Sequence, residues 1–269
     1  MLLTVDHMTR YHYDQPVRAV VQSHRMTPSA FDGQRLLDWQ ITVTDGVRGG
    51  EFRDGAGDRV QGWSVIGPLT DIEVRVTGQV ETSDLAGVLR GHRETVPPLY
   101  YLEETPATHA DVALNELAVV AEGAEGTLEA AHRLSGAVAD AIAYRPGVTE
   151  AHTTAAEALS LGEGVCQDHA HALIAVALAA GLPARYVSGY LHATGDGAPH
   201  EASHAWAEIW IEGLGWVGFD PANRCCPDDR YIRLGSGRNA QEAAPIRGVA
   251  RGEGQESLDV TVAVEQATQ

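Results

Sequence analysis

The stretch that organises this sequence is LGEGVCQDHAH, residues 161–171. Two glycines within it predict a tight bend immediately before Cys166. Behind the cysteine, apolar residues recur at helical spacing, which predicts a mostly buried helix that begins at Cys166 and stops at Gly181 and Pro183. A thiol at a helix N-terminus lies at the positive end of the helix dipole, which favours the thiolate. The position suits a nucleophile, and it also suits an inert, small buried residue.

The composition limits the class of protein. The 269 residues can fold as one large or two smaller domains, with ordinary apolar and charged fractions of 44% and 21%. A net charge of -18 argues against nucleic acid or an anionic membrane as a partner, because both attract basic surfaces. No apolar run approaches the roughly 20 residues of a membrane span. The start of the chain lacks a secretory signal pattern and the three cysteines make a poor disulfide framework, so we expect a cytoplasmic protein.

Residues 1–82 are predicted to form an antiparallel β domain. Short runs with the β period alternate with turn signals, and no ten-residue helical pattern interrupts them. The runs are 3–7, 17–26, 36–44, 58–66 and 71–80, and the turn signals lie at 11–16, 45–46, 54–55 and 67–68. The histidines of this region, His7, His12 and His24, are interpreted as surface or hydrogen-bonded side chains and not as ligands.

Residues 83–127 are predicted to connect this domain to a second one. Prolines and acidic residues break the β pattern there, and one short helix is expected between residues 111 and 122. Apolar residues between 128 and 142 then share one helical face. Thr154 and Glu157 have the spacing of a capping box, so another helix should begin at Ala155 and lead into the glycine bend.

Strands follow the cysteine helix. Residues 184–191 and 203–211 have strand patterns, 216–220 is predicted to return as the partner of 203–211, and the alternation from 258 to 264 suggests a closing strand. We therefore predict an α+β fold, with residues 128–269 forming the second domain and its C-terminal strand.

Three side chains in this second domain fit a catalytic triad. A free thiol, with a pKa of about 8.5, is only a few per cent thiolate at neutral pH, so a cysteine nucleophile needs a base and the base needs an orienting acid. Cys166, His204 on one strand and Asp220 on the next supply these roles in that order. The pattern predicts acyl-transfer chemistry.

The spacing of His204 and Asp220 predicts the number of residues in the turn between their strands. A loop of two or four residues would place the acid on the opposite face from His204. A three-residue loop at 212–214 places Asp220 opposite Trp206, diagonal to His204 on the same face. We therefore predict that loop or a nearby bulge, with a glycine absorbing the odd residue.

Four motifs resemble those of the bacterial transglutaminase-like family, whose members are often described as cysteine proteases. They are GVCQD at 164–168, GLPARYVSGY at 181–190, SHAW at 203–206 and WVGFDP at 216–221. The opening β segment and the tail from 237 to 248 also resemble parts of this family. The resemblance implies a papain-like fold, with the nucleophile helix packed on an antiparallel sheet. It also implies a Cys-His-Asp triad, carried over here to Cys166, His204 and Asp220.

Two positions depart from the family pattern. His169 stands where an aromatic residue is usual, and Asn239-Ala240 stands where the family usually has an Asp-Tyr pair. Neither belongs to the triad, and both bear on the shape of the pocket.

Other interpretations of the cysteines remain open. Cys166 with His169 and His171 could form a zinc cluster, although His171 should point elsewhere and no second pair of ligands has zinc spacing. Cys225 and Cys226 are interpreted as packing residues, one of which could line the cleft, and not as a disulfide.

We therefore expect a cysteine enzyme that acts on a peptide or protein and needs no metal or organic cofactor. Its acyl group passes to water, as in a peptidase or amidase, or to an amine, as in a transglutaminase. Hydrolysis is favoured because water needs no second binding site. The alternative from another class is a non-catalytic binding module, and the oligomeric state stays open.

Overall fold

The computed structural model describes residues 1–192 and 203–267. The sequence also suggests a loop at 195–199, followed by His200, and both lie outside the described residues. The strands are β1 (Leu2–His24), β2 (Gln34–Val43), β3 (Gly46–Arg53), β4 (Arg59–Thr82), β5 (Ala143–Tyr144), β6 (Glu163–Gly164), β7 (Ala184–Leu191), β8 (Ser203–Ile211), β9 (Gly215–Phe219), β10 (Tyr231–Gly237), β11 (Ile246–Arg251) and β12 (Glu256–Gln266). The α-helices are α1 (Val112–Ala118), α2 (Thr127–Ala141), α3 (Ala155–Leu161) and α4 (Cys166–Ala179), and short 3-10 helices occupy Pro98–Leu102, Pro106–Thr108 and Val119–Ala121.

The first sheet is built on the long antiparallel pair β1 and β4, with β2 and β3 on the outer side of β4. Every second side chain of β1 from Leu3 to Tyr13 is buried, which is the pattern of a strand with one face on a core. The predicted β domain is therefore present. β3 was not predicted, because its residues are exposed or half-buried throughout and show no alternation.

Two predicted strand breaks in this sheet were wrong. The chain stays extended through the turn signal at 11–16 and through Gly67-Pro68. These two irregularities lie opposite one another, because the register shifts after His12 and pairing resumes with Val17 opposite Leu69. The extra residues bulge out of the ladder and do not end it.

The predicted closing strand exists as β12, but it does not join the core sheet. It pairs with the first half of β1, with Val5 opposite Val264, and β11 pairs with the second half of β1. The assignment of the C-terminal strand to the core is therefore corrected: residues 246–266 complete the first sheet. The other domain limits, at 82 and 127, stay predictions.

The second sheet is antiparallel, in the order β10-β7-β8-β9, and α4 packs on its β7 and β8 strands. The remaining helices α1, α2 and α3 surround α4, so that almost the whole helix is buried, including Leu173 and Ile174. The helix expected between 111 and 122 and the one beginning at Ala155 are both confirmed. The fold is α+β, as predicted. No α-helix in residues 1–192 or 203–267 is long and apolar enough to span a membrane.

Candidate active site

The bend before Cys166 is formed by three short elements in succession. α3 is capped by Thr154, whose hydroxyl accepts from the Glu157 N–H while the Glu157 carboxylate accepts from the Thr154 N–H. The helix ends at Gly162, whose φ of 71° is readily available to glycine. β6 then pairs with β5 for two residues, and α4 begins at Cys166. The thiol is therefore held at the first residue of a buried helix, as predicted.

Asp168 fixes the first turn of the cysteine helix. Its Oδ2 accepts a hydrogen bond of 2.8 Å from the Val165 N–H and one of 2.6 Å from the Thr149 hydroxyl. The side chain folds back so closely that a Cβ at Gly164 would lie 2.8 Å from the Asp168 Cβ. This close approach explains the glycine at position 164. The two hydrogen bonds of Asp168 stabilise the start of the helix.

The hairpin of β8 and β9 brings the predicted base and acid together. Its loop has the three expected residues, 212–214, and Ile211 pairs with Gly215. Gly213 and Gly215 have φ values of 80° and 84°, so the turn uses conformations that glycine adopts without strain. The same register carried past Phe219 places Asp220 opposite Trp206, so the prediction of the loop and register is confirmed.

Asp220 is buried and receives hydrogen bonds from three side chains. His204 Nε2 lies 2.6 Å from Oδ2, the Tyr231 hydroxyl donates over 2.8 Å, and Asn223 Nδ2 donates over 2.7 Å. Burial alone would raise the pKa of this carboxyl. The hydrogen bonds and the charge of His204 outweigh burial and lower the pKa of Asp220, so it is a carboxylate at neutral pH.

His204 lies between Asp220 and Cys166. Burial disfavours its charged form, but the hydrogen bond to Asp220, the proximity of Cys166 and the charges of both groups raise the pKa of His204 to about 10. Because Nε2 is bonded to Asp220, Nδ1 is the nitrogen available to the Cys166 thiol. The indole of Trp206 stacks on the imidazole, with ring centroids 6.4 Å apart. The three predicted residues are thus brought together.

Cys166 and His204 line a cleft at the surface of the protein. Its walls come from the starts of α3 and α4, from β7 and β8, and from residues 239–245. The described side chains lining it are mainly alanine, proline and uncharged polar residues, and its titratable side chains besides Cys166 are Tyr186 and three histidines. The backbone N–H of Cys166 has no hydrogen-bond acceptor within the described ranges, as expected for the first residue of a helix.

Comparisons with known proteins agree with this architecture. A family model described as the transglutaminase-like superfamily core matches residues 116–221, and a model of the bacterial transglutaminase-like N-terminal region matches 3–81. An uncharacterized protein of Mycobacterium leprae is 30% identical over 280 residues, covering 97% of this chain and 98% of that protein. The chain belongs to the transglutaminase-like superfamily.

Two further similarities refine this result. An uncharacterized protein of Mycobacterium bovis is 38% identical to this transglutaminase-like protein over 133 residues, which are 45% of this chain and 42% of that protein. Among solved structures, a candidate cysteine protease of Cytophaga hutchinsonii matches with a TM-score of 0.75 at 22% identity, over 100% of this chain and 92% of that one. The latter similarity extends to the fold, and it confirms the expected papain-like core.

Two contacts of the triad in this transglutaminase-like protein were missed from the sequence. Asn223 and Tyr231 both donate to Asp220. Asn223 follows Asp220 by three residues, and its N–H also donates to Asp220 Oδ1, which is a short-range turn signal that could have been used. Tyr231 begins β10, a strand that was not predicted, and its approach to Asp220 gives no local signal.

The departures from the family pattern have structural roles. The two ring nitrogens of His169 lie 2.9 Å from the carbonyl oxygens of Val165 and Ile142, so His169 joins the helix start to the end of α2. Asn239 Oδ1 accepts from the Glu242 N–H and fixes a turn, and the Ala240 N–H donates to His171.

The other cysteines and histidines of the alternative readings are also placed. The thiol of Cys225 lies 3.3 Å from the Tyr231 hydroxyl, and Cys226 packs beside Gly87 without a disulfide. His169 and His171 have nitrogens engaged by backbone groups, and the described residues contain no group of three metal-type side chains arranged around one point.

Proposed function

We propose that this protein is a cysteine acyl-transfer enzyme whose triad is Cys166, His204 and Asp220. The observation that carries the proposal is the position of His204, which is hydrogen-bonded to a buried carboxylate and lines the same cleft as the Cys166 thiol. A base oriented in this way is what a cysteine nucleophile requires. The superfamily membership supports the same assignment.

The geometry gives each group a defined task. Nδ1 of His204 takes the thiol proton, and the sulfur of Cys166 attacks the carbonyl carbon of an amide. The carbonyl π pair moves to oxygen, and the free N–H of Cys166 donates to that oxyanion. When the intermediate collapses, the C–N bond breaks and the imidazolium gives its proton to the leaving amine. Asp220 holds the imidazole in this orientation throughout and stays ionised.

The thioester on Cys166 then passes to an acceptor. In our proposal water is the acceptor, activated by the neutral His204, and the enzyme is a peptidase or amidase acting on peptides or proteins. Hydrolysis needs no second binding site, whereas transfer to an amine does. The expected cytoplasmic location belongs to the same proposal, and it rests on the composition of the chain.

Mass spectrometry of a peptide mixture incubated with the protein tests this function. We expect the wild type to produce cleaved or deamidated peptides and Cys166→Ala to produce none. Cys226→Ala is the matched control, because burial raises the pKa of Cys226 to about 11 and its thiol takes no part in the triad. Added amines distinguish the acceptors, since transamidation would incorporate the amine. Equal products from wild type and Cys166→Ala, or no product at all, would contradict the proposal.

A further inference from the structure

One wall of the cleft carries a phenol that forms no hydrogen bond within the described part of the chain. Tyr186, on β7, is 5% exposed and lines the cleft together with Cys166. Among the described residues, four fully buried side-chain polar atoms lack a hydrogen-bond partner, and the Tyr186 hydroxyl is not one of them. Since this hydroxyl has no partner there either, its oxygen is not fully buried and faces the cleft. A phenol whose oxygen faces the cleft and has no partner in the described chain is free to donate to a group that enters from outside.

Two polar side chains beside Tyr186 have hydrogen-bond partners elsewhere in the chain, and the Nδ1 atom of one of them, His171, has none among the described residues. The Ser188 hydroxyl, next on the same face of β7, donates to the Ala243 carbonyl over 2.7 Å. The Nε2 atom of His171 accepts from the Ala240 N–H over 3.0 Å. The His171 ring packs against the Tyr186 ring at 5.2 Å between centroids, which fixes the direction of the phenol. The Tyr186 hydroxyl is therefore a positioned donor that the protein itself does not use.

The proposed reaction at Cys166 also needs hydrogen-bond donors for the oxyanion that forms on the substrate. Acyl transfer builds negative charge on the carbonyl oxygen, and sites of this kind stabilise that charge with preorganised donors. The N–H of Cys166 supplies one donor. Burial first, and then the negative charges of Cys166 and Asp168, raise the pKa of Tyr186 well above its usual value, so the phenol keeps its proton at working pH.

We infer that Tyr186 is the second oxyanion donor, a catalytic residue whose hydroxyl binds the substrate carbonyl oxygen beside the N–H of Cys166. This inference rests on the proposed function and adds a residue to it. The substrate is then a carbonyl compound, and it binds with its carbonyl oxygen toward β7 and away from His204. Tyr186 donates without transferring its proton, and His204 alone moves the protons of the reaction.

Two reagents separate this role from that of the triad. With p-nitrophenyl acetate, the sulfur of Cys166 bonds to the acetyl carbon, the C–O bond breaks, and p-nitrophenolate leaves with the electron pair while His204 holds the thiol proton and then releases it to solvent. This step passes through an oxyanion. With iodoacetamide, sulfur displaces iodide from a saturated carbon, so no oxyanion forms. Both reactions need the same thiol and base.

The test compares both rates in wild type and Tyr186→Phe, which keeps the ring packed on His171. We expect acylation to fall by about 100-fold, the lower end of the effect of one oxyanion donor, and alkylation to stay unchanged. Tyr11→Phe is the matched control, because Tyr11 is another buried tyrosine, in the first sheet, and should leave both rates unchanged. Unchanged alkylation also shows that the variant is folded around Cys166.

Three results would overturn the inference. Unchanged acylation in Tyr186→Phe would remove the hydroxyl from the reaction. An equal fall in both rates would show that Tyr186 supports the thiol and imidazole and not the oxyanion. A wild type that reacts with neither reagent faster than a free thiol would reject the proposed function and this inference with it, whereas the first two results leave the proposed function standing.

Discussion

His204 and Glu208 lie four residues apart on one face of β8, and each is the centre of a buried network of charge. Glu208 accepts from Arg185 Nε over 2.7 Å and from Arg233 Nε over 2.8 Å. Arg233 also donates to Asp58, which precedes β4 in the first sheet. His204 is hydrogen-bonded to Asp220 and lines the cleft together with Cys166.

The difference between the two networks lies in where they end. Every charge around Glu208 is met by an opposite charge, and the guanidinium of Arg185 also lies over the Trp216 ring, 4.0 Å from its centroid. This network holds the core sheet against the first sheet through Asp58 and against the connecting segment through Glu94. The network around His204 ends at a thiol facing a cleft. Substitutions in the first should therefore affect stability, and substitutions in the second should affect reactivity.

The largest expected effect is the loss of reactivity in Asp220→Asn. The amide cannot stabilise the imidazolium and presents a donor to His204, so we expect acylation by p-nitrophenyl acetate to fall by about 10³–10⁴-fold, as when the acid of a triad is replaced. The free energy of unfolding, measured by urea titration, should fall as well, because the neutral amide no longer stabilises the charged form of His204. A variant that reacts at the wild-type rate would remove Asp220 from the triad.

The next effect is on stability. Glu208→Ala leaves two buried guanidinium groups without their shared partner, so we expect the free energy of unfolding to fall by about 3–5 kcal/mol. Glu73→Ala is the matched control, because its ion pair with Arg10 is exposed and should contribute about 0–1 kcal/mol. Urea titration of both variants measures the contrast. Equal losses in the two variants would show that the buried network contributes no more to the free energy of unfolding than an exposed ion pair does.

The two networks should also differ in pH dependence. Burial opposes ionisation of Glu208, but Arg233 and Arg185 lower its pKa to about 2, so its stabilising effect is full above its unfolded pKa of 4.5 and is lost as the pH falls toward 2. The pKa of His204 is raised from 6.5 to about 10, so its effect is full below 6.5 and is lost as the pH rises through 10. The measurement is the free energy of unfolding of wild type minus that of each variant, as a function of pH. For Glu208→Gln this difference should approach zero at low pH, and for His204→Gln it should approach zero at high pH. Convergence at the same end would contradict the assignment.

The smallest effect is expected from Tyr231→Phe. Asp220 keeps two of its three side-chain donors, so the loss is that of one hydrogen bond, about 1 kcal/mol, or about fivefold in the rate of acylation. Iodoacetamide alkylation should fall by a similar factor, because Tyr231 acts through Asp220 and His204. A fall as large as that of Asp220→Asn would mean that the phenol, and not the carboxylate, is the main partner of the base.

The sequence was sufficient for the chemistry that depends on local pattern. The helix starting at Cys166 follows from helical spacing after glycine. The juxtaposition of His204 and Asp220 follows from the two-residue period of strands and an odd loop, because one residue more or less would move the acid to the other face. Local rules decide both features, and the structure confirms them.

Features that depend on distant pairing were not predictable in this way. The alternation in 258–264 indicates a strand but carries no information on its partner, which is β1, more than two hundred residues away. The bulges that let β1 continue past Val17 depend on an irregularity at the opposing positions of β4. In the sequence, Glu208 is one polar residue in an alternating strand. Its two arginine partners lie on β7 and β10, and the local pattern gives no sign of them.

The central claim is that His204 and Cys166 act as a pair, and the rate of iodoacetamide alkylation of Cys166 tests it most directly. At neutral pH, in wild type, His204→Ala and Cys226→Ala, peptide mapping by mass spectrometry gives the rate at each thiol. We predict that Cys166 reacts much faster than Cys226 or a free thiol, that Cys226→Ala keeps this rate, and that His204→Ala loses it. Alkylation of Cys166 at the rate of an ordinary thiol, unchanged in His204→Ala, would contradict the account.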